Sequence, residues 1–215
     1  MKNVFVSENA SPELVRYLKY KKKDIFFVRP AGKVYSAVSA HPDIYMCRDE
    51  ERGIVIKGNP DTLGRDYPEN IIYNAVIMKN YLIHNLRYTA KEILDYGETM
   101  GLKCVNVKQG YTKCSCVVVG GDGIITADEG IYRAVKDNTD IDILKIRPGF
   151  VSLPGHDIGF LGGTSGRIDV EIIFNGNLSA HPDYYEICDF IGAKGFDIKY
   201  FPEYELTDIG SIIEE

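Results

Sequence analysis

The chain has 215 residues, 45% hydrophobic and 26% charged, which is enough apolar content for a sizeable core and excludes a disordered or fibrous chain. Its 25 Lys and Arg stand against 31 Asp and Glu, a formal net charge of -6, and the longest basic run, 19–23, is broken by Tyr20, so no nucleic-acid partner is expected. No apolar stretch approaches the roughly 20 residues of a membrane span, and residues 1–11 lack the basic start, apolar middle and cleavage site of a signal peptide, so a cytoplasmic protein without a membrane partner is expected.

In chain order, residues 4–6 read as a strand, Ser11-Pro12-Glu13 as a helix start, 14–19 as a helix and 25–28 as an extended run. Residues 34–38 read as a strand running into Ser39-Ala40-His41-Pro42-Asp43, a strand-to-helix junction with Pro at the first helical position and Asp in the first turn. An extended run follows at 54–57. The same alternation returns as strand 81–84, helix 89–96 and extended 104–108, and again as strand 124–126, helix 128–135 and extended 141–146. Strand 172–174 then leads into Ser179-Ala180-His181-Pro182-Asp183, a verbatim repeat of the residues at 39–43, followed by a helix and an extended run at 196–201. Tyr45 and Cys47 are echoed by Tyr185 and Cys188.

Five units of strand, strand, helix and strand in 215 residues fall in the range of about 20 to 50 residues per repeat that marks repeat architectures. The first unit lacks its opening strand, and 205–213 reads as the missing one. A strand supplied there would close the repeats and leave no open sheet edge. The expected fold is therefore α/β: a single domain over residues 1–215, a five-bladed ββαβ propeller closed by the C-terminal strand joining the N-terminal blade.

That arrangement resembles the pentein, or guanidine-modifying enzyme, superfamily. The strongest local likenesses to dimethylargininase are Pro68-Glu69-Asn70-Ile71-Ile72-Tyr73-Asn74-Ala75-Val76-Ile77-Met78 and Leu206-Thr207-Asp208-Ile209-Gly210-Ser211-Ile212-Ile213. The C-terminal half is similar to a family of uncharacterised bacterial proteins assigned a guanidine-modifying-enzyme-like fold. The resemblance implies an axial site where a Cys attacks a guanidinium carbon, a His shuttles protons and carboxylates hold the cation. Position by position, Asp208 stands where the family has its Cys, and Pro154 at the His position with His156 two residues on. Tyr73 and Asn74 match the carboxylate pair, and Lys113 or Cys114 matches a further Asp. These departures weigh against guanidine hydrolysis by the family mechanism.

His156, Asp157, Asp208 and Cys114 remain as catalytic candidates, with Asn74, Tyr73, Tyr35 and Thr164 as ligand-binding candidates. Asp157 and Asp208 open the last two inner strands, and two carboxylates converging there would hold a cationic or hydrogen-bond-donating ligand or raise one another's pKa. Cys114 and Cys116 alternate on a strand expected at 113–119 and share a face, without a second ligand pair for a metal. His41 and His181 read as helix caps and His84 as a structural residue. The run 159–167 reads as a hairpin turn rather than a phosphate loop, because it lacks the Gly-Lys-Ser/Thr ending. No cofactor or metal is implied. Two functions follow: small-molecule binding with acid-base or hydrolytic chemistry, or a non-catalytic binding or protein-interaction module. Close, buried polar groups around the site favour the first, and apolar filling the second.

Overall fold

The computed structural model describes residues 2–215. The N-terminal part comprises β1 (Asn3–Ser7), α1 (Pro12–Tyr20), β2 (Asp24–Val28), α2 (Pro42–Tyr45), β3 (Met46–Asp49) and β4 (Ile54–Lys57). The middle contributes β5 (Val76–Met78), β6 (Tyr81–His84), α3 (Lys91–Thr99), β7 (Lys103–Asn106), β8 (Cys116–Val119), β9 (Gly123–Thr126), α4 (Glu129–Asn138) and β10 (Asp142–Lys145). The chain ends with β11 (Ser165–Ile168), β12 (Glu171–Phe174), α5 (Tyr184–Ala193), β13 (Asp197–Lys199) and β14 (Ile213–Glu214).

Four of the helices bury one narrow stripe each, an i, i+4 pair that faces a sheet. The pairs are Leu14 and Leu18 in α1, Ile93 and Gly97 in α3, Ile131 and Val135 in α4, and Ile187 and Ile191 in α5. Gly97 is small for a reason of packing, since a Cβ there would sit 3.3 Å from Leu82 Cδ2. Ser11 and Asp128 start α1 and α4 by accepting the backbone N–H groups of Leu14 and Ile131 at 3.3 and 2.7 Å. The strands beneath are covered on both faces, so β8 and residues 172–174 of β12 read as continuous apolar runs rather than alternating ones.

The pentein-type five-bladed propeller expected from the repeat is not what the chain forms. The strands make four small separate sheets, ordered β14-β1-β2, β4-β3-β5-β6-β7, β8-β9-β10 and β11-β12-β13, and none closes or curls into a ring. Four departures account for the difference. α2 is only four residues long and passes directly into β3, so the second unit has no crossover helix between its strands. β3 instead pairs antiparallel with β4 and parallel with β5, fusing two expected units into one five-stranded sheet. Residues 34–38, read as a strand, are a loop ending in the 3-10 turn Ser36–Val38. Of 205–213, read as the closing strand, only the last residue lies in β14, which pairs antiparallel with β1 through Ile213 on Phe5 and Glu214 on Val4.

Elsewhere the local units form as read. β5 and β6, β8 and β9, and β11 and β12 are antiparallel pairs. Each second strand is then joined through a helix to a parallel neighbour. Among the described residues no helix is long and apolar enough to cross a membrane.

Candidate functional site

Loops from five parts of the chain meet in one place: 41–43 before and within α2, residue 74 before β5, 111–114 before β8, 160–163 before β11, and 208–211 before β14. Backbone bonds tie them together. Asp43 N–H donates to Gly210 O at 3.1 Å, Lys113 N–H to Asn74 O at 3.0 Å, Gly163 N–H to Cys114 O at 2.8 Å and Ser211 N–H to Gly163 O at 2.8 Å. Two glycines permit this closeness. A Cβ on Gly163 would lie 1.9 Å from Asp208 Oδ1, and one on Gly210, whose φ is +72°, would lie 2.0 Å from His41 Cβ.

The polar side chains at this junction are buried. Cys114 donates its S–H to Asp43 Oδ2 at 3.0 Å, and Ser211 donates to the same oxygen at 2.7 Å. Asn74 Nδ2 donates to Cys114 Sγ at 3.3 Å, while its Oδ1 accepts the N–H groups of Lys113 and Cys114 at 2.8 and 3.2 Å. Lys113 Nζ donates to Ser211 Oγ at 3.2 Å. Asp208 accepts Phe160 N–H on Oδ2 and Gly210 N–H on Oδ1, both at 3.0 Å. His41 Nδ1 stands 3.8 Å from Asp208 Oδ1, too far for a hydrogen bond, and it has no other partner. Asp43 Oδ1 is likewise buried without one.

Burial sets the protonation of this group. It pushes His41 down to about 4, so at neutral pH a neutral imidazole faces Asp208 and the two are not an ion pair. It pushes Asp208 up to about 6, against the opposing effects of two backbone amides and Lys113. It raises Asp43, and it raises Cys114 well above an ordinary thiol, with the charges of Asp43 and Asp208 adding to the rise. Cys114 is therefore a protonated thiol.

Above this floor lies a cavity of about 190 Å³ whose lining includes His41, Cys114 and Asp208 together with Tyr35, Tyr111, Phe160 and His156. Tyr35 and Tyr111 join their hydroxyls at 3.0 Å, Asn70 donates to Tyr111 at 2.9 Å, and the His156 ring meets Tyr35 edge-on at 5.7 Å. His41 and Asp208 also line a second depression, of about 400 Å³, with Ser36 and Thr207.

The structure thus brings Cys114, Asp208, Asn74, Tyr35 and His156 to one locus. It does not bring the others. Asp157 is exposed and lines a different depression with His156, so Asp157 and Asp208 do not form the converging carboxylate pair expected from sequence. Tyr73 turns its hydroxyl to Asn59 N–H, Thr62 and Glu92. Thr164 donates to Leu161 O at 2.8 Å, a turn bond away from the cavity, and Arg167 donates to Glu50 O. Cys114 lies in the turn before β8, and Cys116 in the apolar core. His84 has both ring nitrogens bonded, to Thr89 and Gly110.

Two residues of the site, His41 and Asp43, escaped the sequence reading, which made His41 a helix cap. His181 does close a turn in that manner, accepting Asp183 N–H on Nδ1 at 3.0 Å. His41 makes no capping bond. The repeated pentapeptide therefore serves two different ends. The sequence carried no signal of this, because residues 42–53 before the extended run at 54–57 are long enough for a helix and β3 is seen only in the fold.

Residues 59–213 match the model of a family described as a family of unknown function, DUF6873. Asn74, Cys114, Asp208 and Ser211 fall within the matched span, and His41 and Asp43 precede it. No curated protein matches the chain.

Proposed function

The chain belongs to the DUF6873 family, and from its own residues we propose that it binds a small electropositive ligand, cationic or rich in hydrogen-bond donors, in the cavity over His41, Cys114 and Asp208, and carries out acid-base or hydrolytic chemistry there. The observation that supports this reading is an acceptor floor. The His41 imidazole offers an unused Nδ1, and Asp43 an unused Oδ1. Two buried carboxylates, Asp43 and Asp208, face a single ammonium bonded into the cluster among the described residues, that of Lys113. An acceptor without a donor in a buried site costs about 1–3 kcal/mol, and a ligand that supplies positive charge or donors recovers it.

Calorimetric titration of the chelator-treated protein with agmatine and with acetamidinium tests the reading. Saturable binding, weakened at least tenfold by His41→Gln and by Asp208→Asn, is expected. Binding that neither substitution changes, or none at all, overturns it.

A second reading, binding without turnover, has its own observation: both Asp208 oxygens already accept backbone amides, as in a structural carboxylate. Ammonia release from the bound compound separates the two. Release abolished by Cys114→Ser favours chemistry, and binding with no product favours the non-catalytic module.

A further inference from the structure

We propose that the ligand meeting this floor is a zinc-type divalent cation, held by His41 Nδ1, Cys114 Sγ and an Asp208 carboxylate oxygen. The inference deepens the reading above, and rests on it, by naming what occupies the acceptor floor.

One ligating atom from each of the three residues lies within 4.8 Å of the other two, and all three residues are buried. In a tetrahedral site with bonds of about 2.0–2.3 Å, ligand atoms sit roughly 3.5 Å apart, so an ion here shortens the separations within the trio by about 1.3 Å at most. The separation of His41 Nδ1 and Asp208 Oδ1 is already 3.8 Å.

The second, independent observation is the imidazole itself. His41 is 3% exposed, and its Nδ1 has no hydrogen-bond partner although it points at a carboxylate. In the Nε2–H tautomer that nitrogen carries a lone pair with no protein donor to fill it, which is the position a Lewis acid takes. The donor set of one thiolate, one imidazole and one carboxylate suits zinc better than the oxygen-seeking Mg2+ or Ca2+.

Neighbouring groups already orient the ligands. Asn74 donates to Cys114 Sγ, and the amides of Phe160 and Gly210 fix the Asp208 carboxylate while leaving it free lone pairs. Three protein ligands at the bottom of a cavity leave the fourth position facing that cavity, as in zinc sites that do chemistry.

Binding breaks the Cys114 S–H bond and forms a sulfur–metal bond. The proton leaves to water and no electron is transferred, so affinity rises with pH. Asp43 then faces a metal thiolate, having lost the hydrogen bond from Cys114 but kept that from Ser211.

The test is a titration of chelator-stripped, reduced protein with Co2+. One equivalent should bind with a thiolate-to-cobalt charge-transfer band that excess Zn2+ removes. Cys114→Ser should abolish the band, and His41→Gln should weaken binding at least tenfold, while Cys104→Ser, a change at an exposed cysteine, leaves both unchanged. Should a variant fail to fold, zinc-edge X-ray absorption of the wild-type protein decides: one sulfur with nitrogen and oxygen neighbours supports the site. No sulfur, several sulfurs, or a cobalt band that survives Cys114→Ser overturns it. Agmatine binding without metal binding would defeat this inference and leave the proposed cavity standing; metal binding without an organic ligand would do the reverse for the organic part of that reading.

Discussion

Asp208 is a buried carboxylate held by two backbone amides, and this changes what its substitution does. Paired with Asp157 it would have been a source of repulsion, relieved by Asp208→Asn. With Phe160 and Gly210 both donating to it, an Asn turns an NH2 group toward one of those amides and strands it. Asp208→Asn should therefore lose about 1–3 kcal/mol in chemical denaturation. The variant should also change the pH dependence. The Asp208 pKa is raised from 3.8 to about 6, so its contribution to stability is present below about 4 and is lost as pH rises through 6. The His41 pKa is lowered from 6.5 to about 4, so the folded state holds fewer protons in that window and its contribution grows as pH rises. The two oppose each other in the wild type. Removing Asp208 should make the rise in Tm between pH 4 and 6.5 steeper than in wild type, as thermal unfolding across that range would show; an unchanged slope would contradict the assigned protonation. Cysteine reactivity divides along the same line of burial. Cys104 is exposed and Cys47, Cys114 and Cys116 are buried. Burial raises all three buried thiols, so brief alkylation of the native metal-free protein, mapped by mass spectrometry, should label Cys104 and spare them.

The loops are as specified as the strands and helices. Gly163 and Gly210 let the segments before β11 and β14 press onto Asp208 and His41, and neither tolerates a methyl group without moving a buried neighbour. Gly210→Ala combines a left-handed backbone with a clash at His41, and a loss of about 2–4 kcal/mol is expected in equilibrium unfolding. Gly53→Ala is the useful comparison. Its φ is also positive, +67°, but nothing lies within 4 Å of the added carbon, so only the backbone cost of about 1–2 kcal/mol applies. The helices depend on their first turns in the ordinary way. Ser11→Ala and Asp128→Ala each remove a capping bond and should cost about 1 kcal/mol.

The ends of the chain are locked together. Lys23 donates to Glu214 at 2.8 Å, with side chains 7% and 2% exposed, and Lys2 adds a second contact to the same carboxylate at 3.0 Å. Glu215 N–H donates to Asn3 O at 2.8 Å beside the β1–β14 pairing. Removing the Glu214 carboxylate takes one of two acceptors from the buried Lys23 ammonium, which keeps Asp169 at 2.7 Å, so a cost of about 1–3 kcal/mol is expected. Glu214→Ala should therefore destabilise the whole cooperative unit, since β14 connects directly to the 208–211 loop. Loss of cobalt binding together with stability in Glu214→Ala would show that coupling. A variant of wild-type stability would show that the terminal strand is dispensable.

What the sequence determined unaided is local. The i, i+4 pairs, the capping residues and the apolar runs are short-range patterns that a dozen residues contain, and the helices α1, α3, α4 and α5 and the strands beside them lie where those patterns put them. The order of strand, strand, helix and strand was legible for the same reason. Assembly was not. Whether units remain separate or fuse depends on connections such as the four-residue α2, and the repeated pentapeptide at 39–43 and 179–183 hides that difference because identical residues sit in unlike surroundings. The site follows the same division. Cys114, Asn74 and Asp208 were visible as polar residues at strand starts. His41 and Asp43 acquire their meaning only when residues 208–211, from the far end of the chain, fold over them and exclude water. Burial is what turns an ordinary imidazole and carboxylate into groups in search of a partner, and burial is a property of the packed chain rather than of any segment within it.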